Sequence, residues 1–450
     1  LDYLNGWTIA LVLVIAYGAI VYLLYRAGYV GPDRALSLLG PALMIKTKKG
    51  RGWLDRVGRF RRFWTAAGDL GILLAAFAMV AVVVVLCLDA IIALRIPASS
   101  APPVTEALGI PGINPIIPVG YGLVALIVGV VLHELSHGVV ARSQKIGVKT
   151  LGILWCVIPV GAFVEQDDVE MNAAPRRSRD RVAAAGVLAN FGLTIVFFLL
   201  LSASVSSTVQ PNANGVGIAY VVPNTPAANA SLSAGDIITA INTTTVTTNS
   251  QVISLLSNGT PGQAISLTYY DPGTGAMETR SITLTSLASY TNVSSDRTKG
   301  FLGISLLFLT PTQLKGILVA PYGDSQGPLV GGTFWVVLPL AGIEPVQGSL
   351  TSFYHLSGPL AGLGTGGFWI YANLLYWLAW MNFLLGLSNS LPLIPLDGGL
   401  LFRDFSASVA VRLRSGWDAA RLDRFSGRAT IAASLVIVLL ILWQFIAPHL

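Results

Sequence analysis

The chain has 450 residues, 53% of them hydrophobic and only 11% charged, with a mean hydropathy of +0.68. Water-soluble domains of this length carry about a quarter charged residues, so the composition excludes an ordinary soluble fold and points to repeated passage through a bilayer. The formal charge of +6 is gathered in short loops between apolar runs, which is membrane patterning and argues against a nucleic acid partner.

A helix needs roughly 20 apolar residues to cross a bilayer. Six runs meet that length: residues 7–25, 70–94, 116–140, 182–201, 368–391 and 429–447. The predicted fold class is therefore an α-helical membrane protein with a six-span transmembrane core. The loop from Arg26 to Asp69 and the loop from Ala141 to Arg181 are dense in Arg and Lys, as is the stretch from Arg403 to Arg424. Positive loops stay on the cytoplasmic side, and with six alternating spans all three fall there and both termini fall outside. Cys87 and Cys156 stand far apart in apolar surroundings and read as small buried hydrophobes, with no disulfide framework.

The third run ends in His133-Glu134-Leu135-Ser136-His137, an H-E-x-x-H motif. On a helix this spacing sets the two imidazoles about 40° apart on one face, where both can grip one metal ion. Ionisable groups inside a span are expensive and mark function, and three occur here within five residues. Zinc in a hydrolase takes three protein ligands and leaves the fourth position to water, so one more donor is required. Asp397 is the best placed, because it follows the fifth run at the same depth. Pro392, Pro395, Gly398 and Gly399 break the helix around it and free the chain to turn the carboxylate inward. His355 and Asp89 belong to the outer side and are weaker candidates. The stretch 151–164 is too short to cross and is expected to be a hairpin dipping into the membrane, hiding its backbone polar groups against protein.

Residues 202–310 change in kind. They are rich in Thr, Ser, Asn and Gly, with short alternating runs at 217–222, 236–241 and 265–270, and read as a small β-rich domain on the non-cytoplasmic side. Residues 329–346 are apolar but broken by glycines and prolines and carry Glu344, so they are expected to lie on the outer surface or to re-enter it. The domain plan is thus 1–201 with four spans and the HELSH motif, 202–310 β-rich, 311–367 surface-lying or re-entrant, and 368–450 with two spans.

The HELSH motif, Gly186-Val187-Leu188-Ala189-Asn190 in the next span and the run Asn389 to Gly399 (NSLPLIPLDGG) together resemble the site-2 protease family of intramembrane zinc metalloproteases. The stretch from Gly161 to Glu165 resembles the end of that family's membrane-associated β-hairpin. The resemblance implies a zinc ion as cofactor, bound by His133, His137 and Asp397, with Glu134 as general base. It implies for Asn389 a role in steadying the substrate carbonyl or oxyanion. It further implies an integral enzyme of the cell membrane, active toward the cytoplasmic side, hydrolysing peptide bonds in or near unwound transmembrane segments of membrane-protein substrates. The stretches 215–218, 223–227, 232–238, 241–242 and 261–262 resemble, in order and spacing, a circularly permuted PDZ domain. Such a domain either binds a peptide tail by strand addition or excludes substrates with bulky ectodomains. Residues 300–304 read either as its carboxylate-binding loop or as a linker strand. Two rivals are a membrane protein that transports or senses a divalent metal and an inactive scaffold. The nearly apolar outer half of the third span offers no polar route for the first, and the complete set of proposed active groups disfavours the second.

Overall fold

A computed structural model of the chain describes residues 6–319 except 33, 108 and 292, residues 335–337 and 339, and residues 348–450 except 415. It divides into two compact units, Leu1–Val196 with Trp377–Leu450, and Phe197–Tyr376.

The first unit is built on long apolar helices. Helix α1 covers Gly6–Arg26, α2 Arg51–Gly58, α3 Arg61–Ala93, α4 Val119–Ser143, α5 Asp168–Ala173 and α6 Arg176–Thr208. Five helices among the described residues are long and apolar enough to cross a membrane, and Leu11–Arg26 adds a shorter apolar one. Leu73, Phe77 and Val80 of α3 are 64–74% exposed. That is the surface expected of a helix whose outer face meets lipid chains instead of water. Cys87 lies on this exposed helix, so the expectation that it is buried is corrected. The face of α3 turned toward protein is instead small: Gly68, Gly71, Ala75 and Ala78 are buried.

The basic loops are not irregular. Strands β1 (Leu36–Leu39), β2 (Ala42–Thr47), β3 (Val148–Cys156) and β4 (Ile158–Gln166) form one antiparallel sheet in the order β1-β2-β3-β4. The expected hairpin is present as β3 and β4, but the pairing of β2 with β3, Leu43 to Trp155 through Thr47 to Leu151, doubles its width. The Tyr17 hydroxyl, near the middle of α1, donates to the carbonyls of Pro41 and Trp155 at 2.7 and 2.9 Å. Both hairpin tips therefore lie beside the middle of the apolar helix α1. Leu151 and Val164 turn their side chains inward against Leu54 of α2, Val139 and Val140 of α4 and Val182 of α6.

In the second unit, β5 (Val216–Val221), β6 (Ile237–Ile241), β7 (Ala264–Asp271), β8 (Ala276–Thr283) and β9 (Ile304–Leu306) make a sheet ordered β8-β7-β6-β5-β9, to which Thr244–Thr245 adds a short sixth strand on β6. Helix α7 (Asn249–Ser257) opens with a capping box between Thr248 and Gln251. Val216, Ile218, Ile238, Ile241, Val252 and Leu267 form its dry core. Within 300–304, Gly300–Phe301 pairs with Thr285–Ser286 and Ile304 begins β9 against β5, with Leu302 and Gly303 between the two strands. The segment 329–346, apart from 335–337 and 339, lies outside the described residues.

The remaining helices are α8 (Gly364–Ser390), α9 (Asp397–Leu413) and α10 (Ala419–Ile446). Within the first unit, α9 is clamped to α6 by Arg179, whose guanidinium grips both Asp404 oxygens at 3.0 and 3.1 Å, and α3 is clamped to α6 by Arg181 on Asp69 at 2.9 and 3.0 Å. Bidentate pairs of this kind fix orientation as well as distance.

Candidate metal centre

Helix α4 presents His133 and His137 one turn apart on its buried side, each only 6% exposed. The rings meet edge to face, 4.8 Å between centroids, and their Nε2 atoms are 3.1 Å apart. Facing them is one stripe of α6, where Val182, Gly186 and Asn190 recur every fourth residue. His137 Nδ1 lies 2.7 Å from the Val182 carbonyl oxygen. A carbonyl can only accept, so the ring proton sits on Nδ1 and the Nε2 lone pair is left free. Gly186 lies under the His133 ring: a Cβ there would sit 2.3 Å from Cε1 and 2.4 Å from Nε2, so no other residue lets the helices close this far. Asn190, fully buried, sets its amide 3.0 Å from His133 Nδ1. Its Oδ1 has no partner, and the amide turned end for end would let that oxygen accept the Nδ1 proton, giving both histidines the same tautomer.

Asp397 is the first residue of α9. The chain leaves α8 at Ser390 and makes a tight turn in which Leu393 N–H donates to Leu391 O and Leu396 N–H to Leu393 O. Ser434 of α10 pins it by accepting from Ile394 N–H at 3.0 Å. Gly398 completes the fit, because a Cβ would stand 2.3 Å from the carbonyl oxygens of Ser390 and Leu391. The carboxylate is thereby delivered to the histidines, with Oδ2 3.2 Å from His133 Nε2 and 3.3 Å from His137 Nε2.

Three donor atoms thus form a triangle with edges of 3.1, 3.2 and 3.3 Å. Ligands placed about 2.0–2.1 Å from a tetrahedral zinc stand roughly 3.3–3.4 Å from one another, so the triangle is nearly one face of that tetrahedron. Asp397 Oδ2 is buried with no hydrogen bond, and two neutral imidazoles with one carboxylate are a donor set that zinc accepts. Among the described residues this is the group of three acidic, His or Cys side chains close enough to share an ion.

Glu134, on the adjoining face of α4, accepts a hydrogen bond from Val164 N–H of β4 at 3.3 Å. Since β4 is the sheet's edge, that N–H points away from β3 and toward the site. Asn389 is not joined to the three donors by any contact seen among the described residues; its Nδ2 donates to Leu385 O one turn back on α8. His355 sits in a strand of the second unit with Nδ1 3.1 Å from Asn212 Oδ1, and Asp89 lies within α3. Sequence reasoning named Gly186 and Asn190 only as parts of a motif. Their contacts with His133, and the Val182 carbonyl beneath His137, need a second helix in place and leave only the four-residue spacing as a signal.

The model of Peptidase family M50 matches residues 121–417. An uncharacterized protein of Methanocaldococcus jannaschii is 25% identical over 359 residues, 79% of this chain and 75% of that protein. Zinc metalloprotease RasP of Shouchella clausii is 27% identical over 257 residues, 53% of this chain and 55% of its own length. Among solved structures, the PDZ domain of a SdrC-like protein from Listeria monocytogenes is similar at 24% identity, covering 21% of this chain and 90% of that one, with a TM-score of 0.18. The family match takes in two thirds of the chain and runs through His133, Glu134, His137 and Asp397, so this chain belongs to Peptidase family M50.

Proposed function

We propose that the protein is an intramembrane zinc metalloprotease that cleaves membrane-protein substrates in or near their transmembrane segments, with the active groups toward the cytoplasmic side. The observation that carries the reading is the triangle of His133, His137 and Asp397 donor atoms, spaced as a zinc ion requires and fed by two helices that the sequence separates by more than 250 residues.

His133 and His137 would hold zinc through Nε2 and Asp397 through Oδ2. When bound, zinc supplies Lewis acidity that polarises a peptide carbonyl and acidifies water. Glu134 takes a proton from the attacking water and returns it to the leaving amine. Its hydrogen bond to Val164 N–H keeps the carboxylate beside the edge of β4. Asn389 Nδ2 has two hydrogens, one of which is spent on Leu385 O, leaving the other for a developing oxyanion.

A substrate helix hides its backbone in its own hydrogen bonds and must unwind before it can react. The edge of β4, which pairs with no other strand among the described residues and whose Val164 N–H is held by Glu134, offers the unwound segment a strand to pair with. The β-rich domain, on the non-cytoplasmic side in this reading, either holds a peptide tail or bars bulky substrates. Deleting it separates the two: weaker cleavage supports tail binding, and cleavage of intact substrates that are normally spared supports the barrier.

The deciding experiment uses purified protein and its Glu134→Gln variant with single-span substrates. Zinc in both with cleavage by the parent alone supports the protease; transmembrane metal flux, or zinc without cleavage in either, removes it.

A further inference from the structure

The base of the membrane sheet carries a cavity that this chemistry does not use. It has a volume of about 920 Å³ and lies between the ends of β2 and β3, the turn into α2 and the last turn of α4, with Lys48, Lys49 and Arg51 on its wall. The acids around it are already engaged. Glu165 accepts from the Thr150 hydroxyl and stands 3.8 Å from Lys46 Nζ, Asp167 caps α5 through the N–H groups of Val169 and Glu170, and Glu170 accepts from Gly147 N–H. Two further cations of the wall are matched as well, Arg142 by Asp55 and Lys149 by Asp168. Lys48, Lys49 and Arg51 have no acidic partner among the described residues, so the cavity presents a net positive face.

Its depth follows from the fold. The hairpin tips are tied to Tyr17 in the middle of α1. From that level β2 climbs about 17 Å over its five steps to Thr47, and α1 climbs about 14 Å from Tyr17 to Arg26. The bridge between Val30 and Leu36 joins the chain just beyond α1 to the base of β1, so both climbs run the same way. Lys48, Lys49 and Arg51 therefore stand level with the Arg26 end of an apolar helix, where lipid headgroups lie. Trp53, 48% exposed on α2, is the kind of side chain that occupies the same layer. Below them the sheet turns Ile45 and Ile153 outward, 41% and 47% exposed, as a wall for acyl chains.

We propose that this cavity binds the phosphate-bearing headgroup of an anionic phospholipid. Glu165, on its wall, follows Val164, whose N–H holds Glu134, so the bound lipid braces the strand beside the acid–base group. The binding itself does not depend on the protease reading.

The test uses the full-length protein in nanodiscs of phosphatidylcholine and phosphatidylglycerol, with lipid retained after detergent extraction counted by native mass spectrometry. The parent is expected to keep phosphatidylglycerol about tenfold over phosphatidylcholine, and Lys48→Gln/Lys49→Gln/Arg51→Gln to lose that preference. A charge-matched control, Arg412→Gln/Arg414→Gln/Arg421→Gln, is expected to keep it. Equal preference in the parent and the first triple variant overturns the proposal, as does equal loss in the control. Inorganic phosphate bound as tightly as the lipid would reassign the cavity to a soluble anion, and tighter retention of an acidic peptide would reassign it to a protein partner; either result overturns the lipid. Should the triple variant fail to fold, Lys48→Gln and Lys49→Gln singly must each lower the preference about threefold, and no change in either has the same force.

Discussion

The two larger antiparallel sheets among the described residues, one of four strands and one of six, meet different solvents. In the β-rich unit, β5 to β9 put Val216, Ile218, Ile238 and Leu267 into a dry core and turn Thr and Ser side chains to the other face. In the membrane unit, β2 and β3 bury Leu43, Val148 and Leu151 but also expose Ile45, Ile153 and Trp155. Where the outer face meets water, apolar and polar residues must alternate; where it meets lipid, both faces are apolar and the alternation disappears. The β-rich sheet was therefore readable as strands in advance, whereas in the membrane sheet only the hairpin of β3 and β4 was, and β1 and β2 looked like part of a basic loop.

The contrast can be broken most severely at the site that the membrane sheet flanks. Glu134→Gln is expected to lower the cleavage rate about a thousandfold or more while zinc content stays at the parent level, measured by single-turnover cleavage beside elemental analysis. Hydrogen exchange of β5 to β8 should be unchanged in the same variant. Gly186→Ala pushes a methyl group into the His133 ring, and an affinity for zinc about a hundredfold lower is expected by competition with a chelating dye. Leaving zinc affinity intact would show that α4 and α6 can part without cost.

In the β-rich unit the corresponding lever is pH. Burial pushes the Asp236 carboxyl from its ordinary 3.8 up to about 6, against the opposing effect of the Ser233 N–H that it accepts. The folded domain thus holds a proton that the unfolded chain has released between these values. Its stability should fall by roughly 3 kcal/mol as pH rises through that window and stay level above it. Hydrogen exchange of Ile237–Ile241 at pH 4.5 and 7 measures this, and Asp236→Asn should flatten the response.

A direct comparison of the two outer faces is smaller still. Ile153→Lys puts a charge among lipid chains and is expected to cost about 1–2 kcal/mol in bicelles, whereas Tyr220→Lys, at a 55% exposed position of β5, should stay within about 0.5 kcal/mol. Equal costs would mean that the membrane sheet also faces water.

Much of the site was legible because its parts are local. H-E-x-x-H needs only helical periodicity to bring His133 and His137 together, and the break around Asp397 is written in Pro392, Pro395, Gly398 and Gly399. The partners of those groups were not, because each lies on another element: the Val182 carbonyl and the Asn190 amide on α6, and the Val164 N–H on β4. Asn389 shows the same limit from the other direction, since its motif position is local but the bond it makes, to Leu385 O, depends on where α8 ends.

By itself the sequence determined the membrane class, the long helices, the metal-binding residue types and the β-rich insertion, since each follows from composition or from a period of two or 3.6 residues along one segment. Tertiary structure alone decided that β1 and β2 extend the hairpin into a four-stranded sheet, that Gly186 makes room for His133, and that Asp397 closes the donor triangle. Those outcomes turn on distances between segments far apart in the chain, and such distances are set by the packing of helices and strands against one another.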